Sequence, residues 1–265
     1  MRVNHTLARL RAAQTVFGSA IQFYRSAEIP RVFAAAGFDF LFIDTEHGGF
    51  SLETVQDMVA AAAGAGITPL VRICELAYSQ VSRVLDVGAQ GVILPRVEDP
   101  ARLAEAVSWT KYPPLGQRGY GVFPALLDYQ DQSMEAVTEH LNRNVMVVAQ
   151  FETRRAMEAA DELLSVPGVD VAMVGPADLS ISLGVAGQFE HPVLIDPVMG
   201  LIERAQAHGV APGIHCRGVD SARFWAGRGM RFVVVGSEQS LLLEKARETA
   251  ARLQESRRSG CAGST

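Results

Sequence analysis

Val145-Met146-Val147-Val148-Ala149-Gln150-Phe151-Glu152 is a β-type apolar run that ends on an acid. The next such run, Val169-Asp170-Val171-Ala172-Met173-Val174, leads into Gly175-Pro176-Ala177-Asp178 and reaches a second acid. Two buried strands, each followed by a carboxylate, place both acids at the same end of a parallel sheet. In α/β barrels that C-terminal end is where active sites are built. Glu152 and Asp178, with room for water and substrate, suit a hard divalent cation such as Mg²⁺ or Mn²⁺. Either acid alone has a plainer explanation, because Asp after a strand is a common helix N-cap.

The same alternation extends in both directions. Strands are predicted at Thr15–Ile21, Phe38–Asp44, Thr68–Ile73 and Gly91–Pro95, then Val145–Phe151, Val169–Val174, Val210–His215 and Phe232–Gly236. Amphipathic helical stretches lie between them, among them Leu52–Ala63, Ala101–Trp109, Arg154–Leu164 and Asp220–Gly229. Eight strands in strict alternation predict a (β/α)₈ TIM barrel. A doubly wound open sheet is the rival, but no GxGxxG follows the first strand. Gln239–Arg258 reads as a long helix rich in Leu, Ala and charge, an extended C-terminal helix that suggests an intersubunit contact. One connection, Tyr112 to Asn144, is too long for a barrel loop and is expected to cover the mouth or a neighbouring subunit.

Composition narrows the class. The 265 residues are 48% hydrophobic, enough for one large core, so 1–265 is expected to be a single domain with a loose polar tail over 259–265. A net charge of −5 with scattered Lys and Arg argues against nucleic acid as partner. Cys74, Cys216 and Cys261 form no CxxC and no disulfide-like spacing, which fits a reducing cytoplasm. Met1–His5 carry no apolar stretch of signal-peptide length, and no window reaches a membrane span.

Other strand ends carry chemistry too. Asp44-Thr45-Glu46-His47-Gly48-Gly49 follows the second strand, and a histidine there is placed for proton transfer. A lone His is more often a solvated loop residue; flanking acids and glycines favour function here. Arg72 ends the third strand, where a guanidinium stabilises a developing oxyanion or else pairs with an acid. Asp86, late in the helix before the fourth strand, reads alone as a surface acid. Gly175–Ser180 reads as a turn whose backbone N–H groups suit a carboxylate. His215 ends the seventh strand and is placed to face the pocket, whereas Met146, Met173 and the strand Phe residues read as core.

These motifs resemble the HpcH/HpaI aldolases, the metal-dependent class II pyruvate aldolases similar to 4-hydroxy-2-oxoheptanedioate and 2-dehydro-3-deoxyglucarate aldolases. Asp44-Thr45-Glu46-His47, Val71-Arg72, Gln150-Phe151-Glu152-Thr153 and Val174–Ser180 carry the resemblance from about Gly37 to Glu244. Tyr112-Pro113-Pro114, Gly116-Gln117-Arg118-Gly119 and Val235-Gly236-Ser237 add to it. It implies a TIM barrel that assembles as trimers or hexamers with the last helix swapped. It implies Glu152 and Asp178 as ligands of Mg²⁺, Mn²⁺ or Co²⁺, with Gln150 and the Ala177 backbone touching a pyruvate or hydroxypyruvate-like 2-oxo acid. His47 is implied as the base, made more basic by Asp86, and Arg72 as the group that stabilises the enolate.

The reaction implied is cleavage or formation of 4-hydroxy-2-oxo acids, giving pyruvate and a short aldehyde through a metal-bound pyruvate enolate. A metal at the keto oxygen serves as electron sink without a Schiff-base lysine. The alternatives are a CoA-ester lyase of the malyl or citryl type and a non-catalytic binding barrel. His215-Cys216-Arg217 and Cys74-Glu75 depart from the best-known members, next to where the aldehyde would sit.

Overall fold

The structure is a computed structural model describing residues 1–127 and 129–261. In chain order the elements are α1 (His5–Arg11), β1 (Val16–Ile21), α2 (Glu28–Ala35), β2 (Phe40–Asp44), α3 (Leu52–Ala65), β3 (Thr68–Arg72) and α4 (Tyr78–Asp86). Then come β4 (Gly91–Leu94), α5 (Pro100–Ser108), a 3₁₀ turn (Pro124–Leu127), α6 (Met134–Asn144), β5 (Met146–Phe151), α7 (Arg154–Glu158), α8 (Ala160–Leu164), β6 (Val171–Val174) and α9 (Pro176–Ser182). The chain ends with α10 (Pro192–Ala207), β7 (Ala211–Cys216), α11 (Val219–Ala226), β8 (Phe232–Ser237) and α12 (Glu238–Cys261). The strands pair in parallel in sequence order, and β1 pairs β8, so the sheet closes into a barrel. This is the (β/α)₈ fold that the alternation predicts, and every expected strand lies within two residues of an observed one.

Local chemistry sets the element ends. Ser51 caps α3 by accepting from Thr54 N, and Gly66 at φ 80° ends it in the left-handed region. Asp99 accepts from Ala101 N and Arg102 N, with Pro100 opening α5.

Period-2 alternation divides each strand between two apolar layers. Phe40, Phe42, Leu70, Ile93, Met146, Val148, Val171, Met173, Phe232 and Val234 fill the barrel interior. Leu41, Ile43, Val71, Val92, Val147, Ala149, Ala172 and Val233 pack outward beneath the helices. Phe40 and Phe232 stack inside, with ring centroids 4.1 Å apart. Gly18 makes that possible, since a Cβ there would collide with the Phe40 ring. At the N-terminal end α1 joins the interior layer through Leu7 and Leu10. Asn4, which caps α1, donates to Gln90 O and Asn144 O, and Thr6 bonds Thr68.

Three expectations are corrected. Tyr112–Asn144 is not one long loop, because α6 occupies Met134–Asn144 and a 3₁₀ turn lies before it. Residues 118–123 run along α4 rather than across the mouth: Gly119 N bonds Tyr78 Oη and Phe123 N bonds the Asp86 carbonyl. Gly175–Ser180 is not a free turn but the start of α9, with Pro176 at its first position. The extended last helix is present, longer than expected at both ends, and carries Leu242, Leu243 and Leu253 exposed. Of the tail expected at 259–265, residues 259–261 continue α12 and 262–265 lie outside the described residues. No helix among the described residues is long and apolar enough to cross a membrane.

Candidate active site

The inward face of each strand turns polar at its C-terminal end. On β2 it reads Phe40, Phe42, Asp44; on β3, Thr68, Leu70, Arg72; on β5, Met146, Val148, Gln150. The same periodicity that builds the core therefore projects a charged layer into the mouth.

Arg72 is the centre of that layer. Its Nε and Nη2 donate to Asp44 Oδ1 and Oδ2 at 2.9 and 2.6 Å, a bidentate pair between buried side chains. Gln22 Nε2 donates to Asp44 Oδ2 at 2.9 Å, and the backbone N–H groups of Glu46 and His47 donate to Asp44 Oδ1. Burial pushes the Asp44 carboxyl up, but the Arg72 guanidinium and these donors outweigh it and hold it below the ordinary value. Arg72 Nη1 reaches Gln150 Oε1 at 3.4 Å and Glu46 Oε2 at 3.2 Å.

Gln150 links this cation to the acids. Its amide oxygen accepts a hydrogen bond from Arg72 Nη1, and its amide nitrogen donates to Glu152 Oε2. That orientation is forced, because Arg only donates and a carboxylate only accepts. Glu152 Oε1 accepts from Arg96 N at 2.8 Å. Gly175 allows β6 to approach: a Cβ there would stand 3.0 Å from Glu152 Oε2. Burial, then the nearby Glu46 and Asp178 carboxylates, push the Glu152 carboxyl up. Burial also raises Glu46, with Asp44 and Asp178 adding to it, and Glu46 Oε2 has no hydrogen bond although it is buried.

Carboxylates that push one another up are what a hard cation relieves. Among the described residues no group of three or more His, Cys, Asp or Glu side chains forms a metal cage. An Mg²⁺-type site needs no such cage, because one or two carboxylates suffice when water and substrate complete the shell. Glu152 and Asp178 fit that donor set. Asp178 stands half-buried in the first turn of α9.

His47 is exposed, anchored by its backbone N–H to Asp44, with its ring 3.9 Å from Glu46. Asp86 is not its partner within the chain. It is the last residue of α4, about 12 Å of helix from where that helix leaves the mouth. There it pairs with buried Arg118 at 2.8 Å. Asp44 was legible only as a residue flanking His47, although its parity with Phe40 and Phe42 pointed inward. Glu238, which accepts from the backbone N–H groups of Gln22, Phe23 and Tyr24, carried no local signal, because these partners lie more than 200 positions away in sequence.

The profile of the HpcH/HpaI aldolase/citrate lyase family matches residues 24–244. The chain belongs to this family. The 4-hydroxy-2-oxo-heptane-1,7-dioate aldolase of Salmonella typhimurium strain LT2 is 37% identical over 232 residues, 87% of this chain and 88% of that one. The HpcH/HpaI aldolase of Desulfitobacterium hafniense DCB-2 superposes with a TM-score of 0.88 at 30% identity, covering 94% of this chain and 96% of that one. Citrate synthase SbnG superposes at 0.81 with 30% identity, covering 96% and 98%. As a member of the HpcH/HpaI family the chain is a carbon–carbon lyase of the aldolase type, acting on small molecules.

Proposed function

We propose that the protein is a divalent-metal-dependent aldolase that cleaves and forms 4-hydroxy-2-oxo acids, yielding pyruvate and a short aldehyde. The observation that carries this reading is the Arg72 guanidinium, locked by Asp44 and bridged through Gln150 to Glu152. A fixed cation opposite crowded carboxylates is suited to a substrate that becomes an enolate.

Glu152 and Asp178 would hold the cation, Mg²⁺, Mn²⁺ or Co²⁺. Bound there, it would supply an electron sink for the keto group. Arg72 stays in place while charge develops on the substrate oxygen, so it stabilises that charge without reorganising. Gln150 orients the 2-oxo acid, and the Ala177 N–H, in the unpaired first turn of α9, meets its carboxylate. His47, exposed at the rim, moves the proton to and from the pyruvate methyl carbon. An Asp86 contribution to His47 requires a second copy of the chain. The exposed leucines of α12 support a homo-oligomer, in the trimer or hexamer range. A cytoplasmic site of action accords with the unpaired Cys74 and Cys216.

Two assays test this. EDTA-stripped protein with each metal is screened against 4-hydroxy-2-oxo acids for pyruvate release. Pyruvate in D₂O is followed by NMR for loss of its methyl signal without any aldehyde. Metal-dependent activity in both is expected; full activity in stripped protein overturns the metal assignment.

A further inference from the structure

His215 sits in the charged layer with one ring nitrogen unused. It is on the inward face of β7, since Ile214 and Cys216 on either side pack in the outer layer. Nε2 lies 3.1 Å from the Gly236 carbonyl. A carbonyl only accepts, so Nε2 carries the proton and Nδ1 the lone pair. The ring stands edge-on to Phe42 with centroids 5.7 Å apart, and the Arg72 guanidinium lies 5.7 Å from the same Phe42 ring. Nδ1 makes no hydrogen bond to the described residues and is not among their buried orphan atoms, so solvent reaches it.

Aldol cleavage moves two protons, and His47 at the rim accounts for one. We propose that His215 is a second catalytic residue, the base for the C4 hydroxyl of the substrate. This rests on the aldolase reading above. Nδ1 takes the hydroxyl proton, and the electron pair of the O–H bond forms the aldehyde C=O. The C3–C4 bond breaks, and its pair passes to the pyruvate enolate, whose oxygen faces Arg72. His47, carrying a proton drawn from solvent, gives it to C3, and His215 releases the hydroxyl proton to solvent after the aldehyde leaves. In condensation the imidazolium at His215 gives the proton back to the alkoxide.

The charged groups facing His215 are Arg72 from β3 and Asp44 from β2, with the Gly236 carbonyl from β8. Burial first, then Arg72, hold its pKa below the ordinary 6.5, against the pull of Gly236 and Asp44. The imidazole is therefore neutral at pH 7 and ready to accept.

The test compares cleavage with pyruvate methyl exchange in the metal-loaded full chain. His215→Gln keeps a donor for the Gly236 carbonyl but has no imidazole base; His215→Phe keeps the ring against Phe42. In both variants cleavage is expected to fall about 10²–10⁴-fold, with exchange reduced far less. The acid limb of wild-type kcat/KM for cleavage, below about pH 6.5, should vanish in His215→Gln. Equal losses in cleavage and exchange, or unchanged cleavage in both variants, overturn the proposal. Should either variant misfold, the other and the wild-type pH profile decide. Wild-type protein that neither exchanges nor cleaves with any metal overturns the aldolase reading itself, and this inference with it.

Discussion

The two ends of the barrel are built on opposite principles. At the N-terminal end α1 inserts Leu7 and Leu10 beneath the interior layer, and Asn4 and Thr6 bond the surrounding backbone and Thr68. At the C-terminal end the interior stops being apolar. Asp44, Arg72, Gln150 and Glu152 are all buried there, and the Glu46 and Glu152 carboxyls are pushed up. The closed end stabilises; the open end holds charges in a state that a ligand, not the fold, completes.

The sharpest way to separate the ends is Glu152→Gln or Asp178→Ala. A bound cation contributes several kcal/mol of charge stabilisation, so either change should cost roughly 10³-fold or more in pyruvate release. Metal affinity, read by calorimetry, should fall with it. Glu152→Gln should change the Tm of metal-free protein little, because relief of carboxylate crowding is offset by setting the new NH₂ against one of two donors, Arg96 N or Gln150 Nε2. A large drop in that Tm would break the contrast between the ends.

Arg72→Ala spans both properties. Loss of the oxyanion donor should lower kcat by about 10²–10³-fold. It also leaves Asp44, fully buried, without its bidentate partner, which should cost about 3–5 kcal/mol in urea unfolding. Asp44→Asn paired with Arg72→Ala should recover part of that stability but none of the rate.

At the closed end the signs reverse. Leu7→Ala should lose about 2–5 kcal/mol by opening a cavity under the interior layer. Its kcat/KM, measured well below its Tm, should stay within twofold or so of wild type. Catalytic loss comparable to the mouth variants would show that the ends are coupled.

The smallest effect is in acid. Asp44 has its folded pKa held below the unfolded 3.8, so its stabilisation is complete above that value and lost as pH falls through the folded one. Asp170, beside β5 at the closed end, is raised by burial, against the pull of its bonds to Val147 N and Arg11. Its contribution is present below 3.8 and lost as pH rises through the folded value. Asp44→Asn should therefore flatten the loss of stability below pH 3.8, and Asp170→Asn should not.

Much of this was legible along the chain. Glu152 and Asp178 stand just after apolar runs, so strand direction alone put them at one end. Arg72, at the end of β3, was readable the same way, whereas Gln150 entered only through the family resemblance. The α9 start at Pro176 was harder, because Gly-Pro is equally a turn signal and only Leu179 N bonding Gly175 O shows the helix. Within one chain Asp86 meets Arg118 rather than His47, because a helix running back down the barrel carries its last residue away from the mouth.

By itself, the sequence determined the barrel, the direction of its strands and the residue types at the mouth, because periodicity and strand-end position are local properties of the chain. Only the tertiary structure decided which charges meet. Asp44 takes both oxygens to Arg72, Gln150 turns its amide to join Arg72 to Glu152, and Glu238 reaches the β1 loop from the far end of the chain. Those partners are set by closure of the sheet, which brings β8 beside β1, and by the low-dielectric mouth, where a buried charge must find a partner wherever the fold places one.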